Sequence, residues 1–545
     1  MRTDLSVYLK QNTRIEPLFN QWYAWSHLIP PATAAMYMLN SHSKIMQSFI
    51  ANPQVHISAL KNPAMQSGPF MQYGVNDVDD IKALFEKTKS EQSLLFELGH
   101  AIQELDKVLS TEADGHSLEP LYQKVPDVLQ GYVELVYDVN HNPSVRFIEG
   151  LLYKSPYYNP GAQSIALSLT TQDKRPFVFN TPRLDRDGQL HLKVPFASEG
   201  LDELYKMRSV PQPYGRIKEI LAVPDKADEL FSTLFTEEKP SQAARFHGEG
   251  VRIRYFGHAC ILLESKNVSL ICDPIISYKY DTELDRYTFS DLPETIDYVL
   301  ITHYHQDHLM LEMLLQLRHK VKTIIVPRSS GHGLIDPSLR RLLQVIGFRN
   351  VVEIDEMEEL KIPGGSITGL PFLGEHADLN VRTKTAYQVD LGGKRILCMA
   401  DSNNIEPKLY EHIHAAGTDV DAVFIGMECD GAPLSWVYGP FLTRPLSRKM
   451  DQSRRLNGSD CEKAMDIVRR LKAKQVYIYA MGQEPWLSFV MGLQYTDTSR
   501  PIVESNRLVE NCRSAGVTSE RLLYQKEIML TPQHAAASQV LTTGA

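Results

Sequence analysis

The sequence predicts an α/β fold over residues ~246 to 530, two sheets sandwiched between helices, preceded by a mixed, largely helical N-terminal domain. Three observations lead there. Short apolar, β-branched runs alternate with amphipathic helical patterns through the C-terminal half. A dense group of imidazoles and carboxylates, Thr302-His303-Tyr304-His305-Gln306-Asp307-His308, follows directly on one such run, residues 298–301. A polar, proline-containing stretch, residues 236–242, separates this half from a region with helical patterning.

In chain order, helix-like segments stand at residues 83–89 and 94–109, among aromatic clusters such as Trp22-Tyr23-Ala24-Trp25 and Tyr153 with Tyr157 and Tyr158. Nothing in this half has catalytic spacing. Three strand-like runs open the second half, at 251–256, 259–264 and 268–272, and the strand at 298–301 follows the turn-like Asp291-Leu292-Pro293. After the histidine loop come a strand at 323–326, a helix at 337–346 and a strand at 368–372. A hairpin over Gly392-Gly393 joins 386–391 to 395–400. A helix at 406–415, a strand at 422–427, a helix at 461–472 capped by Ser459 or Asp460, and a strand at 475–480 complete the alternation. The expected domains are residues 1–242 and 243–532, with 533–545 a small, polar, disordered tail. The sequence shows no internal repeat.

At 545 residues two domains are the default, and 43% apolar residues is ordinary for a globular protein. No run approaches the ~18 apolar residues of a membrane helix, and Met1 to Ser6 opens no signal peptide, so a cytoplasmic protein is expected. All six cysteines lie in the C-terminal half without a C-x-x-C pair, which disfavours disulfides. A net charge of −9 and the lack of a basic stripe with interleaved aromatics argue against nucleic acid.

The loop carries the chemistry. A strand that ends in His-x-His-x-Asp-His delivers its ligands at the sheet edge. His303 and His305 alternate by two and can chelate one ion from the same side; Asp307 and His308 fall one turn further on and can face a second. This donor set suits zinc, iron or manganese. A shared ligand is expected from a later strand end, where Asp401 follows the run 395–400; one carboxylate between two cations offsets their repulsion. Glu375 and His376 stand side by side after the strand at 368–372, and neighbours on an extended segment point opposite ways, so one of the two enters the site.

His303-x-His305-x-Asp307-His308 resembles the signature of the metallo-β-lactamase fold, whose members include hydrolases, flavodiiron proteins and di-iron oxygenases. Asp273 ends the third strand as that fold's ligand-orienting aspartate does. Hydrolases of the fold put a third histidine near Glu375-His376 and another after residue 480. Here Met481-Gly482-Gln483-Glu484 occupies the latter place, and beyond His414 the only histidine is His534. A chain of this size with an extra N-terminal domain and a glutamate for the third histidine resembles the di-iron β-hydroxylase family of the chloramphenicol pathway. The resemblance implies that His303, His305 and Glu375 bind one iron, Asp307 and His308 the other, and Asp401 bridges them. His376 is then an alternate ligand or stands behind the ligands with Asp273.

By that resemblance the protein is a non-haem di-iron monooxygenase with two irons per chain. It uses O2 and an external electron donor to hydroxylate the β-carbon of an amino acid held as a thioester on a nonribosomal peptide synthetase carrier domain, in antibiotic biosynthesis. Splitting O2 needs a metal that changes oxidation state, which zinc does not, and carboxylates favour iron. The alternative is a two-metal zinc or manganese hydrolase acting on a lactone, phosphodiester or thioester. Trp436, Tyr438, Phe441 and Trp486 are candidate pocket residues. The aromatic-rich N-terminal half is expected to serve association, as a homodimer interface, and carrier docking rather than chemistry.

Overall fold

The computed structural model describes residues 3–331, 333–417, 419–492 and 494–531. The expected tail at 533–545 lies outside the described residues. Within the C-terminal half, fourteen strands form two seven-stranded sheets. Numbered from the first of them, they are β1 (Val251–Gly257), β2 (Cys260–Glu264), β3 (Ser269–Cys272), β4 (Ile296–Leu300), β5 (Val321–Pro327), β6 (Val351–Ile354) and β7 (Glu359–Ile362). They continue with β8 (Gly365–Leu370), β9 (Ala386–Leu391), β10 (Lys394–Cys398), β11 (Ala422–Gly426), β12 (Gln475–Tyr479), β13 (Thr518–Arg521) and β14 (Lys526–Leu530).

The first sheet runs β6-β5-β4-β3-β2-β1-β14 and the second β7-β8-β9-β10-β11-β12-β13. In each, four strands pair antiparallel and the last three join in parallel. The two sheets are thus topological copies, a repeat the sequence hides because only the strand order is duplicated. Apolar side chains of both sheets meet in one core, where Cys272 and Cys398, at the ends of the matching strands β3 and β10, stand Sγ to Sγ at 3.6 Å. The helices Lys408–Ala415, Cys461–Arg470 and Arg500–Ser514 bury their apolar faces on the second sheet. The cap of the middle one is Asp460, whose Oδ1 accepts from Lys463 N–H.

The N-terminal half is mixed and largely helical, as expected. Its helices Val78–Glu91 and Ser93–Glu112 extend the expected segments. A four-stranded sheet also forms, in which Thr13–Phe19 pairs with Gln163–Leu169. These strands escape sequence reading because their partners lie some 150 residues apart and little alternation marks them. Trp22, Tyr23 and Trp25 are buried at 0–2% exposure, within a core that also takes in β4, β5 and the helix Leu311–Leu317. Those aromatics therefore pack inside the chain and offer no surface to a second copy, which removes the sequence argument for an aromatic dimer interface.

The helix Leu311–Leu317 explains the docking. Its sequence, LEMLLQL, is apolar nearly all round, and all seven residues are buried. Its two polar residues find partners across the interface. Glu312 accepts hydrogen bonds across it from Tyr23 (2.8 Å) and Arg175 (2.8 Å), and one from Tyr278 of its own half (2.6 Å); Gln316 accepts one from Arg208 at 2.7 Å.

Candidate metal centre

The site lies at the C-terminal ends of the parallel strands, where chain reversals carry side chains off both sheets. The turns are tight: His258, Asp273, Glu375, Ala400 and Ala480 all adopt positive φ, between 36° and 64°. Left-handed backbone costs a residue with a Cβ about 1 kcal/mol or more, and such residues gather where function demands a geometry. Gly374, at φ 78°, precedes Glu375, and a Cβ there would meet that of Asn403 at 2.6 Å.

Three histidines each spend one nitrogen on an anchor and turn the other inward. His308 Nδ1 donates to Asp273 Oδ2 at 2.7 Å. Asp273 also accepts from the N–H (2.8 Å) and hydroxyl (2.6 Å) of Thr302, and the Thr302 oxygen lies 3.1 Å from His303 Nδ1. His305 Nε2 lies 3.0 Å from the Tyr438 hydroxyl, which in turn stands 2.5 Å from His376 Nδ1. A consistent assignment has His305 donating to Tyr438 and Tyr438 donating to His376. The inward nitrogens, His303 Nε2, His305 Nδ1 and His308 Nε2, then present lone pairs.

Two groups of donors result. His303 Nε2 is 3.1 Å from His305 Nδ1, which is 3.0 Å from Glu375 Oε1. His308 Nε2 is 3.0 Å from Asp401 Oδ2 and 3.8 Å from Asp307 Oδ2. Asp401 Oδ2 also stands 3.9 Å from His303 Nε2, which places this carboxylate between the groups. Donor atoms that share an ion at about 2.0–2.2 Å sit close to 3 Å apart, as these do. His308 Nε2 and Asp401 Oδ1 are buried without a hydrogen-bond partner, the condition of atoms that face a cation. The residues fit a two-metal centre.

The electrostatics agree. Burial, then neighbouring imidazoles, holds His303 well below the usual histidine range, and burial brings His305 down to about 4, so both stay neutral donors. Burial pushes the Glu375 carboxyl up, reinforced by Asp401, Glu428 and Asp307, and Glu428 rises for the same reasons. Burial opposes charge on His308, yet Asp401, Asp307 and Asp273 outweigh it and raise that imidazole far above its ordinary value. Carboxylates in such excess favour a positive charge among them.

His376 turns its Nδ1 to Tyr438, while Glu375 joins His303 and His305. The segment where a last histidine is expected does other work. Gly482 N–H donates to His258 Nδ1 at 3.1 Å, which leaves the ring proton on Nε2, 3.2 Å from Asp307 Oδ2. His258 therefore steadies Asp307. Glu484, from the same segment, accepts from Tyr255. Of the pocket candidates only Tyr438 reaches the ligands. Trp436 packs on Phe179, Phe441 on His27, and Trp486 under Arg286. Sequence reading missed Thr302 and Glu428; the second stands two residues past the end of a buried parallel strand, a place that resembles that of His303.

Comparison with known proteins adds the following. Residues 8–240 match the model of the diiron non-heme beta-hydroxylase N-terminal domain, and residues 252–432 that of the beta-lactamase superfamily domain. A 4-amino-L-phenylalanyl-(CmlP-peptidyl-carrier-protein) 3-hydroxylase of Streptomyces venezuelae is 37% identical over 531 residues, 96% of this chain and 99% of its own. The crystal structure of CmlA, a diiron beta-hydroxylase from Streptomyces venezuelae, covers 97% of this chain and 100% of its own at a TM-score of 0.91 and 37% identity. A mutant of CmlA beta-hydroxylase gives a TM-score of 0.89 at 37% identity, over 96% of this chain and 100% of its own. Among the described residues no helix is long and apolar enough to cross a membrane.

Proposed function

The chain belongs to the family of diiron non-heme β-hydroxylases, and from that premise we propose that it hydroxylates the β-carbon of an aminoacyl group held as a thioester on a nonribosomal peptide synthetase carrier domain. The overall change is C–H + O2 + two electrons + two protons → C–OH + H2O, with the electrons from an external donor. The observation that carries the reading is Glu375, whose carboxylate oxygen stands 3.0 Å from His305 Nδ1 where a zinc hydrolase of this fold places an imidazole.

The two irons, when bound, supply O2 activation and the abstraction of hydrogen. The residues do the rest. His303, His305 and Glu375 would hold one ion, Asp307 and His308 the other, with Asp401 placed to serve both. Asp273, through its hydrogen bonds to Thr302 and His308, fixes two of the histidines; Tyr438 fixes the third. Every one of these ligands is buried, at 7% exposure or less, which keeps bulk water from the reacting centre.

The test is the intact mass of carrier domains loaded in parallel with different amino acids, after incubation with the iron-loaded protein, a reductant and O2. A gain of one oxygen is expected on one of them. Full activity with stoichiometric zinc in place of iron would sink the proposal. A homodimer also belongs to it, supported by the two-stranded sheet Val133–Tyr137 and Pro143–Phe147, which pairs with no further strand among the described residues. Light scattering that gives the mass of one chain would remove that part.

A further inference from the structure

A groove of about 830 Å³ opens between the N-terminal half and the segment Ser488–Met491. Ile57, Leu60 and Phe177 are among its apolar lining residues, and Lys61, Lys174 and Arg175 are its basic ones. Its lining holds three basic residues and no acidic one, in a chain whose net charge is −9. The Arg175 charge is already spoken for, by Glu312 at 2.8 Å and Glu16 at 3.4 Å, and its guanidinium lies over Phe489, 3.6 Å from the ring centre. Lys61 and Lys174 are exposed, and neither is in an ion pair with a described residue. Beside the groove, the stretch from 55 to 75 also exposes Val55 (56%), Met65 (38%) and Val75 (46%).

The groove lies one chain segment away from the metal loop. Its Ser488–Met491 wall is held on one side by Val178 N–H donating to Phe489 O at 2.9 Å. On the other, Gln306, between the ligands His305 and Asp307, donates to Val490 O at 3.4 Å. One hydrogen bond thus joins the wall to the loop that carries the ligands.

We propose that this groove receives the phosphopantetheine arm of the carrier domain, with the phosphodiester at Lys61 and Lys174 and the pantetheine chain along the apolar lining. The inference rests on the carrier-bound substrate proposed above. Carrier domains are acidic, so a chain of net charge −9 repels them over most of its surface, and docking needs a local reversal of sign. The groove supplies that reversal beside exposed apolar side chains fit for a small helical partner.

The test uses two probes with a fluorophore on sulfur: phosphopantetheinyl-serine and pantetheine, which lacks the phosphate. Anisotropy titrations follow each on the iron-loaded protein and on a K61E/K174E variant, whose folding and iron content are checked separately. The unaltered protein is expected to prefer the phosphodiester probe about tenfold, less so in high salt, and the variant to lose that preference. Equal affinity of the unaltered protein for both probes, or a variant that keeps the preference, overturns the proposal. No turnover is involved. A protein that discriminates the probes but hydroxylates nothing contradicts only the proposed reaction, and one that hydroxylates without discriminating contradicts only the groove.

Discussion

At the scale of single residues, Glu375 and His376 make the sharpest contrast. They are adjacent and both buried; the carboxylate oxygen groups with the donor nitrogens of His303 and His305, while the His376 ring packs 4.5 Å from the ring of His305. Glu375→Ala is expected to lower iron occupancy, measured by elemental analysis, to about one ion or less per chain. His376→Ala removes only a support behind Tyr438 and should leave both irons in place. The reverse result would exchange the two roles. His305→Ala and Asp307→Ala each delete a donor and should likewise lose metal. Asp273→Asn keeps its shape but weakens the anchor of His308, so a fall of about 10–100-fold in iron affinity or turnover is expected. The ligand loop is legible in sequence because its donors are contiguous and follow a strand. Thr302 and Glu428 are not, since their partners come from other strand ends; Tyr438 is legible as a pocket residue, but its hold on His305 and His376, like that of His258 on Asp307, appears only on folding.

At the scale of elements, the helix Leu311–Leu317 ties the two halves, and its polar residues set how much the tie is worth. Glu312 is fully buried beneath Arg175, and removing one partner of a buried pair leaves the other charge uncompensated. Glu312→Ala is expected to destabilise by about 3–5 kcal/mol in a urea titration. Glu16, buried with Arg183, Arg14 and Arg175, gives a pH-dependent term. Burial works against its charge, but the guanidinium groups prevail and bring its carboxyl from 4.5 down to about 2. A depressed carboxylate stabilises the fold above its unfolded value and loses that contribution as pH falls through its folded one, so the window is about pH 4.5 to 2. The difference corresponds to about 3 kcal/mol. Glu16→Gln should flatten the acid arm of the stability curve over that window; an unchanged arm would show that the charge of Glu16 does not matter there. No helix at 311–317 is expected from the sequence, although LEMLLQL, apolar nearly all round, suits burial on both sides. The strand partners of the N-terminal sheet cannot be read there, because nothing local in Thr13–Phe19 points to Gln163–Leu169.

At the scale of the whole molecule, the two halves share a core, which changes what the first contributes. The sequence suggests an association module, and a protein starting near Ala243 that would still bind metal if it folds but lose dimerisation and most turnover. In the structure Trp22, Tyr23 and Trp25 lie in one apolar cluster with Val299, Leu314 and Ile324. Ser26 donates its hydroxyl proton at 2.7 Å to the carbonyl of Tyr304, within the ligand loop itself. The N-terminal half therefore supports the backbone that sets His303 and His305, besides covering the helix that follows them. A protein beginning at Ala243 would expose the buried face of Leu311–Leu317, take Arg175 and Tyr23 from Glu312 and leave the Tyr304 carbonyl without its donor. Burying a Leu or Phe side chain is worth about 1.5–3 kcal/mol, and several such residues would be uncovered at once, against a typical total stability of about 5–15 kcal/mol. The truncated chain is expected to aggregate, or to lack a cooperative urea transition, and to hold fewer than two irons after reconstitution. If it unfolded cooperatively and bound two irons as the full chain does, the shared core would not be what keeps the ligand loop in place.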